Sequence, residues 1–261
     1  MTRTSSFVLA EKIDSILFVT INRPEKRNAL ARDVLFQLKE IFTSYSHDEA
    51  LALVVLTGAE DKSFAAGGDL IELNDVKTQE QARIMSDEAY GCLDAVRQFP
   101  LPVVAALNGD ALGGGSELAM ACDFRLAAAH ARLGFLQGKL NVTTAWGGGL
   151  DLIDLVGSSR ALRLLATSAL LTAEQAKAEG LVDQIVAPGQ RLDTLVENFV
   201  APMRKRTPTV LRGFKALTRK AKKGIDRESL RQVEVDWLVR TWTNDAHWQA
   251  ADRFLNSRNR K

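Results

Sequence analysis

The sequence predicts an α/β fold with a mostly parallel sheet, and three observations support this. Short apolar, β-branched runs alternate with segments of helical periodicity, which is typical of parallel sheets. The run LALVVLTG (51–58) is apolar throughout, as expected of a strand buried on both faces. Two glycine-rich stretches, FAAGGDLIEL (64–73) and NGDALGGGSELAMACD (108–123), lie where strands turn into helices.

The elements are predicted in a regular order. Strands are expected where apolar and β-branched residues run together, at 15–23, 51–58, 102–109, 123–129 and 181–186. Helices are expected where apolar residues recur three and four apart, at 31–48, in a long stretch ending at Phe99, at 116–122 and at 172–180. The last of these helices stops at Gly180, a favourable C-terminal residue.

Composition indicates a globular protein with a small net charge. The chain has 261 residues, of which 46% are hydrophobic and 25% charged, and this length fits one large domain or one domain with an appendage. The net charge of +2 gives no strong field toward nucleic acid or a membrane surface. No apolar run approaches the roughly 18 residues that span a bilayer. We therefore expect neither nucleic acid nor a membrane as a partner.

Cysteine and histidine usage argues against disulfides and metal sites. Cys92 and Cys122 lie in helical or strand-like sequence with no signal peptide before them, which favours reduced thiols in a cytoplasmic protein. His47, His130 and His247 are far apart, and none has the spacing of a metal site. We expect no metal.

The composition changes near Pro202. Residues 204–231 contain eleven lysines and arginines but two acids, and a helical segment with Trp237, Trp242 and Trp248 follows. Three indoles need more burial than a short tail supplies, so we expect this segment to dock on the core or on another subunit. An RNA-binding or assembly role for the basic stretch is the alternative, which the low net charge disfavours.

The two glycine stretches match neither common phosphate-binding pattern. No Gly-Lys-Ser/Thr follows either one, and GDALGGGSE lacks the spacing of a dinucleotide fingerprint. They are either tight turns without chemistry or a pair of loops whose N–H groups converge on one oxygen. Such an oxyanion hole stabilises negative charge that develops in a transition state.

The chain resembles the crotonase superfamily, the enoyl-CoA hydratase/isomerase family, along nearly its whole length. The resemblance is carried by INRPEKRNAL (21–30), FAAGGDL (64–70), NGDALGGGSELAMACDFRLAA (108–128) and LTAEQAKAEGLVDQIV (171–186). It implies a spiral of ββα turns, the ClpP-like fold. Residues 1–200 would form this core, and 201–261 a helical region that builds homotrimers or hexamers.

The resemblance also implies the site residues. The N–H groups of Ala66 and Gly114 would form the oxyanion hole for the thioester carbonyl of an acyl-CoA. The implied CoA contacts are Arg23, Lys26, Arg27, Ala29, Leu30, Gly67, Gly68, Asp69, Leu70 and Lys215. The implied walls of the acyl pocket are Leu73, Met85, Tyr90 and Trp146. Coenzyme A would be part of the substrate, so no separate cofactor is expected.

The resemblance implies two catalytic glutamates, of which this chain has one. The first falls on Glu117, three residues after Gly114 on the same helix face, among small and apolar neighbours that would raise its pKa. The second position holds Gln137, a neutral amide that can orient water or a carboxylate but cannot exchange a proton.

The missing carboxyl leads us to expect a lyase other than an ordinary hydratase. Loss of CO₂ from a malonyl-type acyl-CoA generates the enolate without a base, and the WGGG stretch at 146–149 resembles methylmalonyl/ethylmalonyl-CoA decarboxylases. Two alternatives stay open: a hydratase or isomerase with altered acid/base groups, and a CoA-binding homologue without catalysis.

Overall fold

The computed structural model describes residues 6–222 and 224–258. The strands are β1 (Val8–Ile13), β2 (Ile16–Ile21), β3 (Leu53–Gly58), β4 (Ser63–Ala65), β5 (Val103–Leu107), β6 (Asp110–Leu112), β7 (Phe124–Ala127), β8 (Arg132–Gly134), β9 (Leu171–Thr172) and β10 (Gln184–Ile185). The helices are α1 (Arg32–Ser44), α2 (Leu70–Leu73), α3 (Gln79–Gln98), α4 (Gly114–Ala121), α5 (Gly148–Val156), α6 (Ser158–Thr167), α7 (Ala173–Ala178), α8 (Leu192–Arg204), α9 (Pro208–Lys222), α10 (Arg227–Trp242) and α11 (Asp245–Arg258).

The strands form two sheets. The larger has the order β1-β2-β3-β5-β7-β10, and all its pairings are parallel except that of β1 with β2. The smaller has the order β4-β6-β8-β9, parallel except between β8 and β9. This confirms the predicted α/β class with mostly parallel pairing.

The chain winds through both sheets before each helical segment. β3 joins the larger sheet and β4 the smaller, ahead of α2 and α3; β5 and β6 do the same ahead of α4, and β7 and β8 ahead of α5. These are the expected ββα turns. Because the turns stack, the loops that leave β4 and β6 lie side by side.

Apolar packing fills both faces of the larger sheet. One face packs against α1, α3 and α4 through a core that includes Leu38, Phe42, Leu93 and Leu118. On the other face, α8 packs on the sheet through residues such as Val200. The boundary expected between residues 200 and 201 therefore falls within α8.

The C-terminal helices bury only part of their aromatic surface. Trp237 of α10 packs against Gly213 of α9. Trp242 and Trp248 stay 51% and 52% exposed; the Trp242 ring stacks on His247, and the Trp248 ring contacts His247 edge to face. Within this chain, Trp237 therefore packs against α9 as a docked helix would, whereas Trp242 and Trp248 lie at the surface.

Four short strands and the edge strand β1 were not predicted from the sequence. The strands of the smaller sheet are two or three residues long, too short for apolar alternation to reveal them. β1 is a sheet-edge strand with one buried residue in six, so its pattern is also weak. The strand predicted at 181–186 is confirmed only as the two residues of β10.

Candidate active site

The two glycine loops meet at the end of the smaller sheet. β4 and β6 pair in parallel with Ala65 opposite Ala111, so the loops that follow them are neighbours. A Cβ on Gly67 would lie 3.0 Å from the Leu112 carbonyl oxygen and 3.5 Å from the Gly114 nitrogen. The loops are therefore in backbone contact, as their expected convergence requires.

The amide donors at this junction belong to Gly68 and Gly114. Within the described chain, neither N–H donates to a protein acceptor. Gly114 is the first residue of α4, where helix geometry supplies no acceptor. The N–H of Ala66 instead donates to the Arg27 carbonyl over 3.1 Å. This corrects the expectation that Ala66 supplies an oxyanion donor, because its proton is already bound within the backbone.

The Trp146 ring lies against both loops. Any Cβ on Gly114 would overlap this ring, and one on Gly68 would lie 3.3 Å from the ring's Cη2 atom. The side chain is 7% exposed. Glycine at position 114 is thus required by close approach, and the indole forms a wall beside the two free amides.

Glu117, in the first turn of α4, is held by three donors from other segments. Its Oε2 accepts from the N–H groups of Trp146 and Gly148, both at 3.0 Å, and its Oε1 accepts from Gln137 Nε2 at 2.8 Å. Burial raises the pKa of Glu117 above its ordinary value, against the lowering effect of these three hydrogen bonds. A buried carboxyl with a raised pKa suits a role in proton transfer.

Gln137 reaches Glu117 because of the smaller sheet. β8 pairs with β6 with Gly134 opposite Leu112, and the short 3₁₀ turn after β8 carries Gln137. Its Nε2 is used by Glu117, while its Oε1 is buried and has no partner among the described residues. A buried amide oxygen without a partner indicates a place for a hydrogen-bond donor.

A cavity of 570 Å³ opens in front of these groups. Its polar lining includes Glu117, Gln137 and Lys139. Its apolar walls are Leu70, Leu73, Ala82, Met85, Leu112, Leu136, Leu140, Val142, Ala145 and Trp146. The expected pocket residues Leu73, Met85 and Trp146 therefore line one space with the glycine loops.

Segment 23–30 borders the first glycine loop. Leu30 N–H donates to the Gly67 carbonyl over 2.8 Å. Arg23 forms an ion pair with Asp69 at 3.2 Å, and the Asp69 carboxylate also caps α2. These contacts give Arg23 and Asp69 a structural role, which joins the two segments.

Two further basic residues of this segment differ from Arg23. Lys26 and Arg27 are exposed, and their charged groups have no acidic partner within the described chain. They remain available to an anionic ligand.

Two expected site residues lie elsewhere. Lys215 is buried and forms an ion pair with Asp123, beyond the last turn of α4 and so at the opposite end of that helix from Gly114. Tyr90 lies under the Arg97 guanidinium, whose Cζ is 5.4 Å from the centroid of the Tyr90 ring. Tyr90 lines a separate cavity. Neither residue lines the 570 Å³ cavity, so the structure of the single chain does not bring Lys215 and Tyr90 together with the glycine loops.

The sequence analysis missed two residues of the site. The resemblance implies only a CoA contact for Gly68, because a run of two glycines does not reveal which amide is free. Arg97, which binds the Trp146 carbonyl over 2.8 Å, has no local sequence signal.

Two further structural findings concern metal and membrane. The described residues contain no group of three or more His, Cys, Asp or Glu side chains placed to hold a metal ion. Among the same residues, no helix has the length and apolar character needed to cross a bilayer.

Comparisons with known proteins agree with this geometry. Residues 11–261 match the family model described as enoyl-CoA hydratase/isomerase. The chain is 37% identical over 187 residues to the crotonyl-CoA hydratase of Syntrophomonas wolfei, covering 71% of each protein. It is 30% identical over 253 residues to the 2,3-dehydroadipyl-CoA hydratase of Escherichia coli, covering 97% of each.

The fold is similar to solved structures. An enoyl-CoA hydratase from Bacillus anthracis superposes with a TM-score of 0.90 at 30% identity, covering 96% of each chain. This similarity confirms the spiral fold implied by the sequence resemblance.

Proposed function

Because the chain belongs to the enoyl-CoA hydratase/isomerase family, we propose that it adds water to a short-chain 2-enoyl-CoA through a thioester enolate. The observation that carries the proposal is the pair of acceptors at the cavity wall. Glu117 Oε1 accepts a 2.8 Å hydrogen bond from Gln137 Nε2, and the Oε1 of the same Gln137 amide has no partner among the described residues.

These two acceptors suit one water molecule. A water between Glu117 Oε1 and Gln137 Oε1 gives one hydrogen to each oxygen, and its own lone pairs then face the cavity. Gln137 needs no charge for this role, since it only accepts a hydrogen bond. The replacement of a second glutamate is therefore compatible with hydration.

The oxyanion hole consists of the Gly68 and Gly114 amides. As the water oxygen bonds to C3 of the enoyl group, the π electrons move through C2 to the thioester oxygen. The two amides and the positive end of α4 stabilise the negative charge on that oxygen. Preorganised donors of this kind cost no reorganisation during the reaction.

Glu117 both accepts and returns the proton. Its carboxylate takes a proton from the attacking water and becomes neutral, a state that its raised pKa favours. It then delivers the proton to C2 as the enolate collapses to the thioester. One carboxyl on one face of the substrate thus completes a syn addition with all atoms conserved.

Substrate handling follows from the surrounding residues. Lys26 and Arg27 stand at the exposed edge of the first loop, where they can bind CoA phosphates, while the backbone of 67–70, Ala29 and Leu30 line the pantetheine path. The apolar walls accept a short acyl chain, and Trp146 limits its depth. CoA enters as part of the substrate, so the reaction needs no separate cofactor.

A second candidate is decarboxylation of a malonyl-type acyl-CoA. The apolar lining favours it, because desolvation destabilises a substrate carboxylate relative to neutral CO₂. Glu117 would then serve as the proton donor to C2. We rank it second because an ionised Glu117 repels a substrate carboxylate, and because the relatives in the comparisons are named as hydratases.

A panel of thioesters tests both candidates. Purified protein is offered crotonyl-CoA, methylmalonyl-CoA and ethylmalonyl-CoA, and the products are followed by mass. The proposal expects crotonyl-CoA to gain the mass of one water. Loss of CO₂ without hydration establishes the second candidate, and binding of all three esters without turnover makes the protein a non-catalytic CoA binder.

We also propose that the C-terminal helices join copies of this chain into a trimer or hexamer. The support is the exposed apolar surface of α10 and α11, which includes Leu238, Trp242, Trp248 and Phe254. Light scattering of the purified protein measures the mass directly, and a monomer would reject this assembly.

A further inference from the structure

The turn that holds Glu117 lies between two charges. The N–H groups of Trp146 and Gly148 point to the Glu117 carboxylate on one side. On the other side, the carbonyl of Trp146 accepts from Arg97 Nη2 over 2.8 Å. One short turn is thus fixed by an anion in front and a cation behind.

Arg97 is itself held firmly. Its Nε donates to Asp151 over 2.7 Å, and its guanidinium stacks on Tyr90. The side chain is 14% exposed, so this contact is largely shielded from solvent. A buried ion pair with fixed geometry positions its neighbours more strongly than an exposed one.

The turn fits closely against the guanidinium. Gly147 has a φ of +89°, and a Cβ there would lie 2.7 Å from Arg97 Nη2. The backbone of the turn can therefore approach the guanidinium only because position 147 has no side chain.

We propose that Arg97 is a positioning residue, which sets the geometry and the charge state of Glu117 by holding the Trp146–Gly148 turn from behind. It does not touch the substrate cavity. This inference rests on the proposed function for its kinetic consequences, but its effect on Glu117 can be measured without any substrate.

The charged groups around Arg97 come from three helices. They are Asp94 on α3, Asp151 and Asp154 on α5, and Arg219 and Lys222 on α9, and the neutral phenol of Tyr90 on α3 lies among them. Lys215 and Asp123 neutralise each other as an ion pair. Glu117 is the carboxyl on the far side of the turn.

Arg97 and Asp151 shift the pKa of Glu117 in opposite directions. The positive charge of Arg97 lowers the pKa of Glu117 against the larger raising effect of burial. Removing that charge, and with it the anchor of the amide donors, raises the pKa further. Removing the negative charge of Asp151 leaves the guanidinium less compensated and lowers the pKa of Glu117.

The experiment is a carbon-13 NMR titration of protein labelled at the glutamate carboxyl carbon. The Glu117 signal is identified by its loss in Glu117→Gln. We expect an upward shift of the Glu117 pKa in Arg97→Gln, a smaller upward shift in Arg97→Lys, and a downward shift in Asp151→Asn. Arg83→Gln, which removes an exposed charge from the same helix, leaves the pKa unchanged.

Activity supplies the second measurement. In Arg97→Gln we expect kcat to fall about 10–100-fold with a change in KM of less than about threefold, because misplaced catalytic groups slow chemistry more than binding. An unchanged Glu117 pKa in both Arg97 variants, or shifts of one sign in Arg97→Gln and Asp151→Asn, overturns the inference. If the Glu117 pKa shifts as predicted in these variants but the protein turns over no thioester, the proposed function is rejected and the inference about Arg97 stands.

Discussion

The two cavities that flank the Trp146–Gly148 turn differ in almost every respect. The front cavity, of 570 Å³, is walled by leucine, valine, methionine and tryptophan, with Glu117 and Gln137 among its polar groups. The rear cavity, of 260 Å³, is lined by at least four acids and four bases. The contrast shows how a carboxyl can be desolvated on the side where it reacts and still be oriented from behind by charge.

The largest effect is expected from removing the proton-transfer group of the front cavity. Glu117→Gln keeps the shape and one acceptor oxygen for the Trp146 and Gly148 amides but cannot exchange a proton. We expect kcat for crotonyl-CoA to fall about 10²–10⁴-fold with little change in the affinity for CoA esters. Turnover is followed by product mass, and near-normal activity would show that chemistry does not pass through Glu117.

A smaller loss is expected from closing the oxyanion hole. In Gly114→Ala the new methyl group collides with the Trp146 ring and displaces the amide, so kcat falls about 10²–10³-fold. Gly91→Ala is the matched control, because that helical glycine on α3 has room for a Cβ. Equal activity of the two variants would contradict the role of the Gly114 amide.

Substitutions of Gln137, the neutral residue beside Glu117, test whether it takes part in the reaction. Gln137→Ala removes one acceptor of the proposed water and lowers kcat about tenfold, the scale of one hydrogen bond to a charged or oriented group. Gln137→Glu restores a carboxyl beside Glu117, and two neighbouring carboxyls cannot both ionise freely, so one pKa rises. The acidic limb of the pH–rate profile, where the catalytic carboxylate becomes protonated, should then move to higher pH; a profile identical to wild type would place Gln137 outside the reaction.

Removing the two basic side chains at the edge of the front cavity should weaken substrate binding modestly. The double variant Lys26→Ala/Arg27→Ala is expected to raise KM for CoA esters about 5–10-fold, with the difference shrinking at high salt because exposed charges are screened. Lys177→Ala, which removes an exposed charge from α7, is the control. A salt-independent KM would argue against phosphate contacts.

The smallest effect is on stability. Burial raises the folded-state pKa of Glu117, so its favourable contribution is full below the unfolded pKa and is lost as pH rises through the folded pKa. Glu117→Gln should therefore unfold about 2–4 °C above wild type at pH 8, with the gap closing on acidification. Calorimetry at several pH values measures this, and a gap that widens toward low pH would contradict the sign.

The sequence predicts the residues of the front cavity much better than those of the rear cavity. The glycine loops, Glu117 and Gln137 lie in contiguous motifs, so their order along the chain is enough to place them. The sequence could not show that Gly68, and not Ala66, supplies the free N–H group. That depends on a tertiary contact, in which the Ala66 N–H donates a hydrogen bond to the Arg27 carbonyl. The rear cavity is assembled from separate helices, and no spacing links Arg97 to Trp146 or Lys215 to Asp123.

The fold shows the same division. Strands β2, β3, β5 and β7 of the larger sheet were predicted from apolar runs, whereas the smaller sheet owes its strands to pairing between turns of the spiral. That pairing, with Ala65 opposite Ala111 and Leu112 opposite Gly134, is what brings the catalytic loops together. Local sequence carries little information about contacts of this range.

The polarisation of a bound thioester tests the central claim most directly. Butyryl-CoA labelled with carbon-13 at its thioester carbonyl cannot be hydrated, and its carbonyl stretch can be read by infrared difference spectroscopy on the protein. If the Gly68 and Gly114 amides grip that oxygen, the stretch lies at lower frequency on the wild-type protein than in water, and Gly114→Ala removes the difference. A bound carbonyl that absorbs at or above its frequency in water would contradict the account.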